Sequence, residues 1–348
     1  MIRVALLPGD GIGAEVMSGP AELLGTLTAD FPIEVTGPWP IGCTAFADHH
    51  TGLPGITMAA CESADAILLG AVGDHPGVVV PGYRTELPLL QLREHFELRV
   101  SVRDIWREGQ RPLTIVRNLL GGAYGSASTR RESDGTAPAS DEIILERERI
   151  AELAELACDY VERRPGTQLV SVDKANLLAT SRLWRNVVTE VAASRGIEVS
   201  HRHVDRSAFE LAKRGLPDAV IVTEGIFGDI LSDLAAGRAG SIALGASASV
   251  HPGTPSTGRC VGLFEPLHGS APAHAGTNRA NPAGAYLALA TLLEWFAATA
   301  ELASRVRAAL AAVMRSGPCT YDLAPADGPV STTSDFAARV NRAFVTTA

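Results

Sequence analysis

Short apolar runs recur along the chain, and segments with helical periodicity lie between them. IRVALLPG (2–9) leads into a helical pattern that lasts to about Thr28. ADAILLGAVG (64–73), PLTIVRN (112–118), TQLVSVDK (167–174), DAVIVTE (218–224) and SIALGASASV (241–250) repeat the rhythm. The cores AILLGAV and AVIVT lack polar alternation, as expected of strands covered on both faces. Such strands alternating with helices predict an α/β class with a largely parallel sheet. Two more helical patterns, 300–315 and 334–348, close the chain. One stretch breaks the rhythm. GSASTRRESDGTAPASD (125–141) is polar and rich in Ser, Gly and Pro. It reads either as a surface loop or as an arm that pairs with a second subunit.

After the first run, LLPGDGIGAEV (6–16) sets Gly9, Gly11 and Ala14 in G-x-G-x-x-A spacing. A dinucleotide fingerprint also needs an acid about 20 residues on, at the end of the second strand. Asp30 precedes that strand and Glu34 lies inside it. The stretch therefore reads as a tight strand-to-helix turn.

The 348 residues suffice for one large or two intimately packed domains. The net charge of -9 argues against nucleic acid or an anionic membrane as partner, so any basic site must be local. No apolar run reaches the roughly 18 residues of a membrane span. The N-terminus enters a strand at once, without a leader pattern. Cys43, Cys61, Cys158, Cys260 and Cys319 stand singly, without C-x-x-C, as reduced cytoplasmic thiols would.

Four constellations could carry chemistry. In VTEGIFGDILSDLAAG (222–237), helical from Phe227, Asp229 and Asp233 are four apart and share one helix face. With no His or Cys beside them, a hard cation such as Mg²⁺ or Mn²⁺ is their natural partner. A solvated acidic face is the plainer alternative. In SVDKANLLATSRLWR (171–185), Lys174 ends an apolar strand, where α/β sheets bind ligands. A desolvated lysine there can act as a base. The alternative is a surface pair of Lys174 with Asp173. Arg93, Arg99, Arg103 and Arg117, the last seven residues before Tyr124, suggest a di- or tricarboxylate, because arginine binds carboxylates bidentately. Singly, each also fits a salt bridge. LFEPLHGSAPAHAGTNRANPAGA (263–285) is a loop of small residues whose N–H groups can approach a phosphate. A functionless loop of that length is uncommon.

Together these motifs resemble the β-decarboxylating dehydrogenases of 3-isopropylmalate, isocitrate and homoisocitrate, from GDGIG to the NP at Pro282. The resemblance implies two α/β domains sharing one long mixed sheet, not a Rossmann fold. Residues 1–98 and 251–348 would form the first, cofactor-side domain. Residues 99–250 would form the second, for dimerisation, metal and catalytic lysine, with the inter-subunit arm near 125–141. It implies a homodimer with shared active sites. Arg93, Arg103, Arg117 and Tyr124 would come from one subunit. Lys174 and Asp205, in HVDRSAFE, would come from the other, and Asp205 would join Asp229 and Asp233 on Mg²⁺ or Mn²⁺. Lys174 would take the hydroxyl proton and Tyr124 would protonate carbon after CO₂ leaves. NAD would lie on Glu265, His268, Gly269, Ser270, Ala271, Pro272, His274 and Asn281, with Ile12 against the adenine. ELPLLQLR is similar to the substrate helix of the isopropylmalate-type members. There Glu86, Leu89 and Leu90 would meet a branched alkyl group that Leu177 of the other subunit closes over. The implied activity is NAD- and metal-dependent oxidative decarboxylation of 3-isopropylmalate to 2-oxoisocaproate, in leucine biosynthesis.

Three positions depart from that pattern. Ala273 and His274 replace the acid that meets the adenine ribose, which leaves NADP open beside NAD. Gly225 stands where an asparagine near the nicotinamide is usual. Asp104 follows Arg103 where a proline is common. These departures keep two alternatives: the same reaction on another 2-hydroxy diacid (isocitrate, homoisocitrate, tartrate, malate or a secondary-metabolism analogue), and a catalytically silent dimer.

Overall fold

The computed structural model describes residues 1–78, 83–124, 130–131, 138–215, 217–253 and 259–346. The chain divides into two compact units. One comprises Met1–Glu97, Gly240–Ala248 and Pro255–Ala348, and the other Leu98–Ala239 and Ser249–Thr254. The class is α/β, with mixed strand pairing.

In the first unit the strand order is Ile33–Thr36, Ile2–Gly9, Ala66–Ala71, Gly262–Pro266, Gly245–Val250, the last strand running on into the second unit. The first four pair in parallel, with Val4 opposite Val35 and Ala66, and Leu263 opposite Ile67. Ala66–Ala71 is buried at every residue, which explains its unbroken apolar run. Helix Ala283–Trp295 is apolar on every side because it packs between the strand Gly262–Pro266 and the helices Gly13–Leu27 and Ala300–Ser316. The expected strand over 241–250 begins later. Ser241 accepts a hydrogen bond from the Ala243 N–H (3.1 Å) and turns Ile242–Leu244 into a short 3₁₀ helix before Gly245–Val250 extends.

The turn after Ile2–Gly9 has no room for a phosphate. Gly9 and Gly11 have φ of 77° and 56°, and a Cβ on Gly11 would lie 1.9 Å from the Ser270 carbonyl oxygen. Asp10, 0% exposed, accepts from the backbone N–H groups of Cys43 (3.0 Å), Thr44 (2.9 Å) and Gly73 (3.1 Å). A carboxylate thus fills the space that a phosphate would need.

In the second unit the order is Val100–Ile105, Leu113–Asn118, Ala219–Thr223, Gln168–Asp173, Val199–His203. The first pair is antiparallel and the rest are parallel. Thr223 lies opposite both Arg117 and Val172, so three parallel strands deliver their C-terminal ends together. Arg117, Lys174 and the start of helix Gly225–Ala239 gather there, on the ligand-binding side of an α/β sheet. Of the segment 125–141, only 130–131 and 138–141 are described. Arg130–Arg131 pairs antiparallel with Ser140–Asp141. All five cysteines are free, and among the described residues no helix is long and apolar enough to cross a membrane.

Candidate active site

Helix Gly225–Ala239 carries the acidic pair, and neighbouring strands bring cations onto it. Arg103 Nη1 lies 3.0 Å from Asp229 Oδ1 and 3.6 Å from Asp233 Oδ1. Arg117 Nη2 lies 2.7 Å from Asp229 Oδ1, and its Nη1 donates to the Gly225 carbonyl (3.1 Å). Tyr124 donates its hydroxyl to Asp229 Oδ2 (3.3 Å), with the Arg117 guanidinium 5.9 Å from its ring centre. Arg103, Arg117, Tyr124, Asp229 and Asp233 are therefore one cluster. Burial first, then the Asp229 charge, raises the Tyr124 pKa, so the phenol keeps its proton at neutral pH. Burial first, and Asp229 second among the raising causes, lifts the Asp233 pKa above its ordinary value, against the pull of Arg103 and Arg117.

Strand alternation settles the position of Asp104. Arg103 and Asp104 point to opposite faces. Asp104 accepts from Thr114 and lies 3.6 Å from Arg164, so it leaves the Arg103 charge to the acidic pair.

Lys174 forms a second cluster. Its Nζ lies 2.6 Å from Asp205 Oδ1, and that bond, as the first cause, lowers the Asp205 pKa. The alternative pairing with Asp173 is absent. Asp173 is buried and held by Arg185 through two 2.8 Å bonds, which fix the strand end from which Lys174 projects. Leu177 is 69% exposed. Among the described residues no three His, Cys, Asp or Glu side chains gather as a metal site within the chain. Asp229 and Asp233 nevertheless fit a hard cation. Both donors are carboxylates, they share one helix face, and arginines now balance charge that a divalent ion could balance instead.

In the first unit, helix Leu87–His95 begins after Glu86, which is exposed and makes no side-chain cap. Leu89 is half-buried and Leu90 is 37% exposed. Arg93 turns to Glu265 (2.9 Å), and both are largely buried. The loop beyond Glu265 is tied at its edges. Ile12 donates its N–H to the Ser270 carbonyl (2.8 Å), and Glu15 accepts from Gly276 and Asn278. Asn281 reaches Asp322 (3.0 Å) and receives the Ala283 N–H (2.9 Å). Ala271 sits at φ 39° and opens the short turn Pro272–His274. Around Gly269 there is open space. His268 donates from Nδ1 to the Gly269 carbonyl (3.0 Å), which leaves Nε2 a buried acceptor with no partner. Burial lowers its pKa and keeps the ring neutral. An orphaned acceptor beside an open glycine fits a donor-bearing ligand such as a nucleotide. His274 stacks on Tyr321 (centroids 5.3 Å apart), and Arg279 covers the same ring at 5.1 Å.

Reasoning from sequence missed Ser232, which accepts from Arg103 at 2.6 Å, and Tyr321. Ser232, three residues after Asp229, was within reach of a helical-face argument. Tyr321 lies far along the chain from the loop and gave no local signal.

The isocitrate/isopropylmalate dehydrogenase family matches residues 3–340. Similar proteins include the 3-isopropylmalate dehydrogenases of Geobacillus kaustophilus (38% identical, 99% of this chain, 95% of that one) and Bacillus subtilis (38%, 92% of each). Among solved structures, an isocitrate dehydrogenase from Methylococcus capsulatus superposes with a TM-score of 0.84 at 27% identity, covering 99% of both chains. A β-decarboxylating dehydrogenase from Thermococcus kodakarensis superposes with a TM-score of 0.81 at 31% identity, covering 99% and 97%.

Proposed function

The chain belongs to the isocitrate/isopropylmalate dehydrogenase family, and we propose that it oxidatively decarboxylates 3-isopropylmalate to 2-oxoisocaproate, a step of leucine biosynthesis. It is a β-decarboxylating dehydrogenase, an oxidoreductase. The observation that carries the substrate assignment is the surface of helix Leu87–His95. Leu90 and Leu89 offer apolar area beside the exposed Glu86, which would repel a third carboxylate. The relatives' names agree with that choice.

Asp229 and Asp233 with Asp205 of a second subunit would hold Mg²⁺ or Mn²⁺, and the loop Glu265–Asn281 would hold NAD; bound there, the ion would supply acidification of the substrate hydroxyl and the dinucleotide a hydride acceptor. Lys174, now paired with Asp205 at 2.6 Å, would lose its own proton to solvent once Asp205 turns to the cation, and as the neutral amine it would take the hydroxyl proton. Arg103 and Arg117 leave Asp229 for the substrate carboxylates and hold them for the break of the C–C bond. Tyr124, protonated at neutral pH, supplies the proton that carbon takes up. The homodimer is supported by exposed apolar side chains on the acidic helix itself, Ile230 (61%) and Ile226. NADP is a second reading, favoured by the Arg279–Tyr321–His274 group and by Ala273 in place of an acid.

A panel of 3-isopropylmalate, isocitrate, homoisocitrate, malate and tartrate, each with NAD and with NADP in Mn²⁺, tests this. The expected result is the highest kcat/KM for 3-isopropylmalate. Equal rates across the diacids would refute the substrate assignment.

A further inference from the structure

We propose that His75 is a cofactor-binding residue that donates to a ribose hydroxyl of the dinucleotide, with Asp74 as the acceptor beside it. The N–H groups of the GDGIG turn are spent inside the fold. Ile12 donates to the Ser270 carbonyl (2.8 Å) and Gly13 to the Asp10 carbonyl (2.8 Å). Gly11 donates to Nδ1 of His75 (3.0 Å). Nδ1 therefore holds a lone pair, and the N–H of the imidazole stands at Nε2. Among the described residues no hydrogen bond takes up that N–H, and His75 is only half-buried. The ring takes one backbone donor from the turn and offers another further out.

The strand that carries His75 sets its place. The residue lies just past the carboxyl end of Ala66–Ala71, where α/β sheets bind ligands. The segment between is fixed. Asp10 donates its N–H to the Ala71 carbonyl (2.8 Å), and its carboxylate accepts from the Gly73 N–H (3.1 Å). A Cβ on Gly73 would lie 2.6 Å from Ser270 Oγ, so the segment lies directly against the loop Glu265–Asn281. The bonded series His75, Gly11, Ile12, Ser270 joins the ring to that loop. Asp74 is exposed and, among the described residues, forms no hydrogen bond or ion pair. The two side chains select the ligand atoms. A phosphate beside Asp74 would meet like charge, whereas a ribose diol offers an oxygen to the Nε2–H and a hydroxyl to the carboxylate. Accepting the Gly11 N–H needs no ring, and the outer nitrogen is what histidine adds over a shorter acceptor. This inference rests on the proposed reading of Glu265–Asn281 as the dinucleotide loop.

The full chain is titrated with NADH and with NADPH by calorimetry, and the dinucleotide that wild type binds more tightly is carried to His75→Asn, His75→Gln and Asp74→Asn. Nicotinamide mononucleotide and ADP, one ribose each, are titrated beside it, and melting temperatures are read for every variant. His75→Asn keeps an acceptor for the Gly11 N–H and removes the outer donor. His75→Gln keeps a donor at the reach of Nε2. The dissociation constant of the dinucleotide should rise about five- to tenfold in His75→Asn, the worth of one hydrogen bond, with the melting temperature unchanged. Asp74→Asn should lose about two- to threefold, and His75→Gln should stay within about threefold of wild type. The loss in His75→Asn should appear with only one of the two smaller nucleotides, which identifies the ribose. Equal dinucleotide affinity in His75→Asn and wild type overturns the role of His75 and leaves the loop reading standing. Failure of wild type to bind either dinucleotide overturns that reading, and this inference with it. A lowered melting temperature with equal losses for both smaller nucleotides makes His75 purely structural and also overturns the proposal. Should His75→Asn not fold, Asp74→Asn decides, and unchanged affinity there overturns the pair.

Discussion

Asp10 and Asp229 both follow the end of a parallel strand, and both are surrounded by donors. Their settings differ in what those donors are. Asp10 is sealed from water, and its partners are three backbone N–H groups that cannot move and the Thr44 hydroxyl. Asp229 is part-exposed and its partners are two guanidiniums and a phenol on side chains that can. A carboxylate bonded to fixed donors fastens a turn. A carboxylate bonded to movable cations can exchange them for an ion or release them to a substrate. The GDGIG turn is therefore architecture, and the GDILSD helix has the movable partners that the proposed chemistry needs.

Breaking each side of this contrast gives different losses. Lys174→Ala removes the proposed base of the second cluster. The kcat/KM should fall by roughly 10²- to 10⁴-fold, the usual worth of a general base, with the melting temperature almost unchanged. Near wild-type turnover would separate Lys174 from the reaction. Asp10→Ala should do the reverse. It strands three backbone N–H groups in the interior and should lower unfolding free energy by about 3 kcal/mol in denaturant titration. At temperatures where the fold persists, kcat should hold. A large loss of kcat without loss of stability would place Asp10 in the chemistry after all.

The third effect is smaller and concerns pH. His268 is buried and its pKa is lowered, so the folded chain refuses a proton that the unfolded chain accepts below the ordinary imidazole value of 6.5. The unfolded state then binds more protons, and stability drops as pH falls below about 6.5, by at most about 1.4 kcal/mol per pH unit from this group. His268→Asn should flatten that slope. An unchanged slope would assign the acid sensitivity to other groups.

The sequence made the frame of these regions readable to different depths. Runs such as AILLGA and AVIVT announce strands because burial on both faces leaves no polar alternation. Val100–Ile105 and Val199–His203 were invisible, because they mix polar and apolar residues and depend on their neighbours for pairing. At the site, Asp229, Asp233 and Lys174 stood out through spacing and position at strand ends. That Arg103 and Arg117 both land on Asp229 required the register of three strands, which no local pattern encodes. Asp104 shows the converse. Adjacent to Arg103 in sequence, it faces the other way in the strand and has partners of its own. Glu224, buried and bonded to Ser181 at 2.5 Å, was legible only as part of a motif.

The most direct test of the contrast is Mn²⁺ binding by Asp229→Asn, measured by titration calorimetry of the full chain with 3-isopropylmalate present, alongside nicotinamide reduction. The substitution keeps the shape and removes the charge. Wild type should bind Mn²⁺ and reduce the dinucleotide. Asp229→Asn should lose at least about tenfold in Mn²⁺ affinity and most of its turnover, while its melting temperature stays within a few degrees of wild type. Mn²⁺ affinity and turnover equal to wild type would contradict the assignment of this helix as the metal and substrate face.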